Sequence, residues 1–232
     1  MDYFNIHHIG ARSGTIGFPK LKPLHDSITC TAYDADVNCC PQIKENLSIQ
    51  GYSNVEVIQK GIGQSRKAKF NLAYDPNSSS LFETNDYFSD YYIESPDFDR
   101  IQKEAHKKVE ELSLDLIPLD SINLKFKIDF LSLDTQGSEL DILKSAKNSL
   151  DKTIGIYTEV NFVPLYDGIP LYGDISNYLD KLGFQLINID LQNGFAPRNL
   201  PVGFRLNKMV NQGDALFLKK PELINSELER RK

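Results

Sequence analysis

The sequence predicts an α/β fold, one doubly wound domain on a mainly parallel sheet with helices on both faces. Two observations carry that expectation. Short apolar runs of strand length alternate with segments of helical spacing from one end of the chain to the other. In addition, the stretch from Phe130 to Leu143 (FLSLDTQGSELDIL) changes its period partway along. Phe130–Leu133 reads as a buried strand, while Leu140, Ile142, Leu143 and Ala146 take helical spacing. Ser138 is placed to cap that helix, with Asp141 three residues on. A strand that ends in a carboxylate and turns at once into a helix is a βα corner, and ligands of open α/β sheets sit outside such strand ends. Asp134 is therefore either a ligand-facing group or a plain turn carboxylate.

The elements before that corner follow in order. Tyr3–Ile9 reads as a first strand, running into a turn that holds Gly10, Ala11 and Gly14. Glycines so spaced allow a tight turn and close backbone approach to a ligand, although G-x-G-x-x-G is absent. Ile28–Tyr33 is a second strand, ending in Asp34-Ala-Asp36. A carboxylate ~20 residues past a glycine turn, at the next strand tip, is placed to bind ribose hydroxyls; Asp34 fits better than Asp36. Pro41 suits the first turn of a helix whose apolar side is Ile43, Leu47 and Ile49 and which Gly51 stops. Asn54–Ile58 is a third strand, leading to Gly61-Ile62-Gly63, a turn able to border a purine or simply to turn. Lys67–Tyr74 alternates and suggests an extra strand.

Residues 81–98 are rich in aromatic and acidic side chains (Phe82, Tyr87, Phe88, Tyr91, Tyr92, Phe98). A loop this long is often functional, so residues 81–115 form a candidate lid insertion. Within it, Ile101–Leu112 reads as a charged helix, and Leu116–Asp120 as a short strand with Pro118 at a sheet edge. After the corner, Ile154–Glu159 is a strand ending in a carboxylate. Ile175, Leu179 and Leu182 mark a helix that Gly183 closes, and Phe184–Leu191 and Ala215–Leu218 are the last strands. We expect one domain over residues 1–220 and a charged tail over 221–232.

Composition sets limits on partners. The 232 residues carry a net charge of −6, with 26 basic and 32 acidic side chains and no basic cluster. A phosphate-binding surface needs clustered positive charge, so no nucleic-acid partner is expected. No run approaches the ~20 apolar residues of a membrane span, and the N-terminus lacks a signal pattern. Cys30, Cys39 and Cys40 lack C-x-x-C spacing and fit a reducing compartment, which we take to be cytoplasmic.

Several of these stretches together resemble the FkbM family of S-adenosylmethionine (SAM)-dependent methyltransferases. They are Gly10-Ala-x-x-Gly14, Tyr33-Asp34, Gly61-Ile62-Gly63, Ser78-Ser-Ser-Leu81 and Leu119-Asp120. The strongest are the Leu133–Leu143 block and Glu159 with the downstream Pro164-Leu-Tyr166. The resemblance implies a Rossmann-like class I methyltransferase fold, a seven-stranded, mostly parallel sheet with an antiparallel last strand. It also implies methyl transfer to a hydroxyl of a sugar, polysaccharide or natural product. Position by position, Gly10, Ala11 and Gly14 would pass under the methionine part of SAM and Asp34 would hold the ribose. Gly61 and Ile62 would border the adenine, and Asp134 and Glu159 would face the methyl and the acceptor. Two departures stand out. His8 occupies the position, two before the first glycine, where the family usually has an acidic residue. The first strand also begins almost at once, whereas relatives often carry an extra N-terminal segment.

Methyl transfer from a sulfonium needs alignment of the reactants and a base for the hydroxyl proton. Asp134 is the preferred base and Glu159 the second. His7 and His8 are rivals because imidazole titrates near neutrality, but on one strand they point to opposite faces, so at most one faces the site; of the two, His8 is carried as the catalytic candidate. Metal-free transfer is the expectation; were Mg²⁺ used, Asp134, Glu159 and Asn161 would be its oxygen ligands. Two other readings stay open, an NAD(P)-dependent enzyme and a non-catalytic nucleotide-binding module.

Overall fold

The computed structural model describes residues 4–12, 26–87, 92–93, 102–124, 127–197 and 209–224. Gly14, Phe88, Tyr91 and Phe98 lie outside the described residues, as does most of the expected tail.

Five parallel strands form the heart of the large sheet: β1 (Phe4–Ile9), β2 (Ile28–Asp34), β3 (Asn54–Gln59), β8 (Phe130–Leu133) and β9 (Gly155–Asn161). They lie in the order β3-β2-β1-β8-β9, followed by β11 (Met209–Lys219) and β10 (Phe184–Pro197). β11 runs antiparallel to both its neighbours, so the expected antiparallel last strand is present. A two-residue strand, β6 (Tyr92–Ile93), pairs with the far end of β10 as an eighth member. The last two strands run longer than their apolar cores suggested, because polar residues such as Asn193 and Gln212 stay in the ladder.

Burial explains which strands are central. Every residue of β2, β8 and β9 is buried, as strands covered on both faces must be, whereas β3 at the edge alternates exposed and half-buried. On one face, α1 (Cys40–Ile49) packs Ile43 and Leu47 against Ile6, Ile28 and Cys30. On the other, α3 (Glu139–Ser145), α4 (Lys147–Lys152) and α5 (Tyr172–Lys181) bring Ile142, Leu143, Leu150, Ile175 and Leu179 onto Leu131, Leu133, Val160 and Phe217. The helices thus cover both faces. Among the described residues, no helix is long and apolar enough to cross a membrane.

A second sheet was not expected as such. β5 (Arg66–Ala73), foreseen as an extra strand, pairs antiparallel with β7 (Lys108–Ile117), and β4 (Gly61–Ile62) lies parallel to β7 on its other side. This corrects the expected helix over Ile101–Leu112. Only α2 (Gln102–Ala105) is helical there. The charged run from Lys107 to Glu111 suits a helix by propensity, but Leu112-Ser-Leu-Asp-Leu116 alternates with period two, and pairing to β5 decides the matter. The expected strand at Leu116–Asp120 is present only at Leu116–Ile117, the end of β7, since Pro118 precedes a short 3-10 turn at Leu119–Ser121. Gly61–Ile62, read as a turn, is a strand. Ser138 does occupy the N-cap of α3, but its side chain makes no capping bond. Asp141 serves elsewhere, accepting hydrogen bonds from the Gln64 backbone and side chain at 3.1 and 2.8 Å and pairing with Arg66 at 2.7 Å.

Candidate active site

The site is assembled from strand tips. At the end of β1, Gly10 has φ +83°, and a Cβ built there would lie 1.8 Å from the Asp134 carbonyl oxygen. No side chain fits, and the positive φ also favours glycine. The Gly10 and Ala11 amides both donate to the Tyr33 carbonyl, at 3.0 and 3.1 Å. The turn therefore threads between the tips of β2 and β8. Ala11 itself turns inward and is buried in the core.

Asp34 closes β2. Its Oδ1 accepts from the Asp36 backbone N–H at 2.9 Å, and Arg12 reaches across to Asp36 at 2.8 Å. Burial raises the Asp34 carboxyl above its ordinary pKa; the Asp36 N–H and the Arg12 charge work in the other direction. Gly61 and Ile62 follow β3, close to the same edge.

These groups share one cleft of about 730 Å³, open mouth included. Gly10, Asp34, Gly61, Ile62 and Asp134 line it on one side; Phe70, Leu114 and Leu116 of the second sheet line it on another.

The corner after β8 is the most heavily bonded part of the site. Gln136 has φ +54°, the only positive value at a non-glycine among the described residues, and Gly137 follows at +106°. Such a conformation is uncommon for a side chain of this size and points to a constraint. The constraint is visible on both sides. The Glu139 carboxylate accepts from the Thr135 amide (2.8 Å), the Thr135 hydroxyl (2.9 Å) and the Gly137 amide (3.0 Å). The Gln136 side-chain NH₂ donates to Asp134 Oδ1 at 3.1 Å and to Glu159 Oε2 at 3.0 Å. Ser80 Oγ donates to the Gln136 carbonyl at 2.6 Å. With its amides turned onto Glu139, the corner does not offer them to a phosphate.

Asp134 opens onto the cleft, whereas Glu159 lies behind Gln136, buried. Its second oxygen accepts from Gln212 at 2.7 Å. Both carboxyl pKa values are raised, chiefly by the bulk of protein around them, which encloses Glu159 and leaves Asp134 a face open to the cleft. For Glu159 the rise is large, and Asp134, Glu139 and Asp214 add to it.

The structure therefore brings Gly10, Asp34, Gly61, Ile62 and Asp134 together and sets Glu159 one residue back. It does not bring the histidines to the cleft lining. His8 is buried, its Nδ1 3.0 Å from Ser132 Oγ on the neighbouring strand. His7 is buried on the opposite face, its Nδ1 2.8 Å from Tyr33 Oη. Nor do Asp134, Glu159 and Asn161 form an open oxygen set, because each Glu159 oxygen already holds an amide NH₂. Among the described residues, no group of three His, Cys, Asp or Glu is arranged to hold a metal ion. Sequence reasoning quoted Gln136 and Tyr166 within their motifs but gave neither a role; the Tyr166 hydroxyl lies 3.1 Å from Gln136 Oε1 and 2.9 Å from the Ser78 carbonyl. A large polar residue just before a glycine, one residue past the Asp134-Thr pair, was the available signal for Gln136.

Burial lowers the His7 pKa to about 4, with the Asp129 charge pulling weakly the other way. A histidine depressed on folding favours the native state above its unfolded pKa of about 6.5. That contribution is lost as pH falls from 6.5 towards 4, by on the order of 3 kcal/mol. Denaturant titrations of wild type and His7→Leu should therefore diverge over this window, wild type losing more stability towards acid. Parallel curves down to pH 4 would contradict the assignment.

A model of the methyltransferase FkbM domain matches residues 8–186. No curated protein matches the chain. Among solved structures, magnesium protoporphyrin IX methyltransferase from Synechocystis PCC 6803 with bound SAM is 7% identical, with 94% of this chain and 71% of that one covered and a TM-score of 0.47. Precorrin-6y C5,15-methyltransferase from Geobacter metallireducens is 12% identical, with 94% and 82% covered and a TM-score of 0.46. TrmK of M. capricolum with S-adenosylhomocysteine is 10% identical, with 94% and 63% covered and a TM-score of 0.46.

Proposed function

The chain belongs to the FkbM family of SAM-dependent methyltransferases, and from that premise we propose that it methylates a hydroxyl of a sugar, polysaccharide or natural-product acceptor. The observation that carries this reading is the single cleft lined jointly by Gly10, Asp34, Gly61, Ile62 and Asp134. The residues present fit SAM. Gly10 packs tightly on the Asp134 backbone and lines the cleft with main chain for the methionine part, Asp34 stands at a strand tip for ribose hydroxyls, and Gly61–Ile62 offers an apolar edge for adenine.

Bound there, SAM supplies an electrophilic methyl on a sulfonium. The chain's part is to align the acceptor oxygen in line with that methyl and to take up its proton. Alignment alone contributes up to roughly 7–11 kcal/mol in well-oriented reactions. Asp134 faces the cleft with a carboxylate oxygen to receive the proton as the new O–C bond forms, while Asp34, the other carboxylate lining it, is assigned to the ribose. Phe70, Leu114 and Leu116 give the acceptor an apolar wall, and Asn77 and Ser79 give it polar partners.

Calorimetry with SAM and Asp34→Ala tests the cofactor half of this reading. Loss of charge-assisted hydrogen bonds, about 1.5–3 kcal/mol, weakens binding roughly tenfold to a hundredfold; unchanged affinity removes the ribose role. A thermal-shift comparison of SAM, S-adenosylhomocysteine and NADH separates the other readings. Stabilisation by NADH alone would favour an NAD(P) enzyme, and no response to any of the three a non-catalytic module.

A further inference from the structure

We propose that Gln136 is the positioning residue of this site, an amide strut that keeps the carboxylate of Asp134 aimed into the cleft and apart from Glu159. The inference rests on the reading of Asp134 as the proton acceptor and assigns a role to a residue that the reading leaves unused.

Geometry carries it. Two carboxyl groups on adjacent strand ends, Asp134 after β8 and Glu159 in β9, are bridged by one NH₂ at 3.1 and 3.0 Å. Carboxylate oxygens accept and do not donate when ionised, so the NH₂ end of the amide faces them and Oε1 faces away. On that far side Tyr166 Oη is 3.1 Å from Oε1 and 2.9 Å from the Ser78 carbonyl, two acceptors that share its one proton. The orientation of the amide is set by its NH₂ end, which faces the two carboxyl groups. Its backbone adopts φ +54°, a conformation that a non-glycine residue rarely takes. The Ser80 hydroxyl holds the carbonyl of the same residue. A glycine would make this turn without strain, so what requires glutamine here is its side chain.

The surroundings make such a strut necessary. The carboxyls packed at this corner are Asp134 and Glu139 from the β8 side, Glu159 from β9 and Asp214 from β11. The Gln136 NH₂ is the hydrogen bond that favours the charged form of Asp134, against the burial that disfavours it. Glu159 receives two amide NH₂ groups, from Gln136 and Gln212, and is the buried partner against which Asp134 would otherwise share a proton.

Two variants and two readouts test this. Gln136→Met keeps the length and removes the donor; Gln136→Asn tolerates the left-handed backbone but is a methylene too short to bridge. In both, the Asp134 carboxyl ¹³C titration should move up by about one pH unit or more. The acid limb of the kcat–pH profile should move with it, with kcat at a fixed pH on that limb falling about tenfold for each pH unit moved. Affinity for SAM should stay within about twofold, since the donor is assigned above to Gly10, Asp34, Gly61 and Ile62. An unmoved Asp134 titration in a folded variant overturns the proposal, whatever happens to rate. A moved titration with an unmoved rate profile instead overturns Asp134 as the base and leaves the strut standing. Should Gln136→Met fail to fold, the Asn variant decides by the same titration.

Discussion

Asp134→Asn lowers turnover by about 10²–10⁴-fold, the usual contribution of a positioned base, while SAM affinity stays close to wild type. The substitution preserves shape, and its remaining carbonyl oxygen can still accept from the Gln136 NH₂. What it removes is the ability to receive a proton at the cleft carboxylate that follows β8; Asp34, which also lines the cleft, sits at the tip of β2. Glu159 is not a ready substitute, because it is buried and both its oxygens are engaged. Initial rates with an acceptor that wild type methylates, together with calorimetry, check the outcome; a variant at the wild-type rate shows that the base lies elsewhere. The raised pKa of Asp134 also fixes the direction of the wild-type profile. The active form is the carboxylate, so activity falls on the acid side of a midpoint above the ordinary carboxylate range.

Among the glycines of the described residues, Gly10→Ala should be the most damaging. The added carbon meets the Asp134 carbonyl at 1.8 Å, and the Asp134 carbonyl carbon and the Thr135 methyl lie within 3 Å as well. Backbone cannot yield as a flexible side chain would. The left-handed φ adds roughly 1–2 kcal/mol and overpacking about 1–3 kcal/mol. For a domain of this size that sum lowers Tm by several degrees, at about 2–4 °C per kcal/mol. The loss of cofactor affinity should be larger than the loss of stability suggests, since both strand tips that shape the cleft must separate. Melting curves and calorimetry on the same sample check this, and a variant matching wild type in both would mean that the turn does not pass where it is described.

The sheet was largely legible in the sequence because its central strands are short apolar runs bounded by turns. Ile28–Tyr33 and Phe130–Leu133 appear almost as expected, and the carboxylates that follow them reach the cleft. The second sheet was less legible. β7 carries Lys108, Glu110 and Glu111, residues that favour a helix, and its strand character depends on a partner forty residues earlier in the chain. His8 was attractive for its proximity to the glycine turn, but strand alternation directs it into the sheet, against Ser132. The role of Gln136 was missed for a related reason. Its importance lies in a backbone angle and in two acceptors, one of them 23 residues away, and neither shows in composition or period.

The second sheet shares no hydrogen-bonded ladder with the large one among the described residues, yet it is moored at Asp141, on the helix that follows the Asp134 corner. That arrangement divides labour between two structural modules. Phe70, Leu114 and Leu116 can be exchanged to recognise a differently shaped molecule while the strand tips that grip the donor keep their register. Diversification of such a scaffold, in nature or in the laboratory, would then concentrate on β5 and β7 and leave the mooring carboxylate in place.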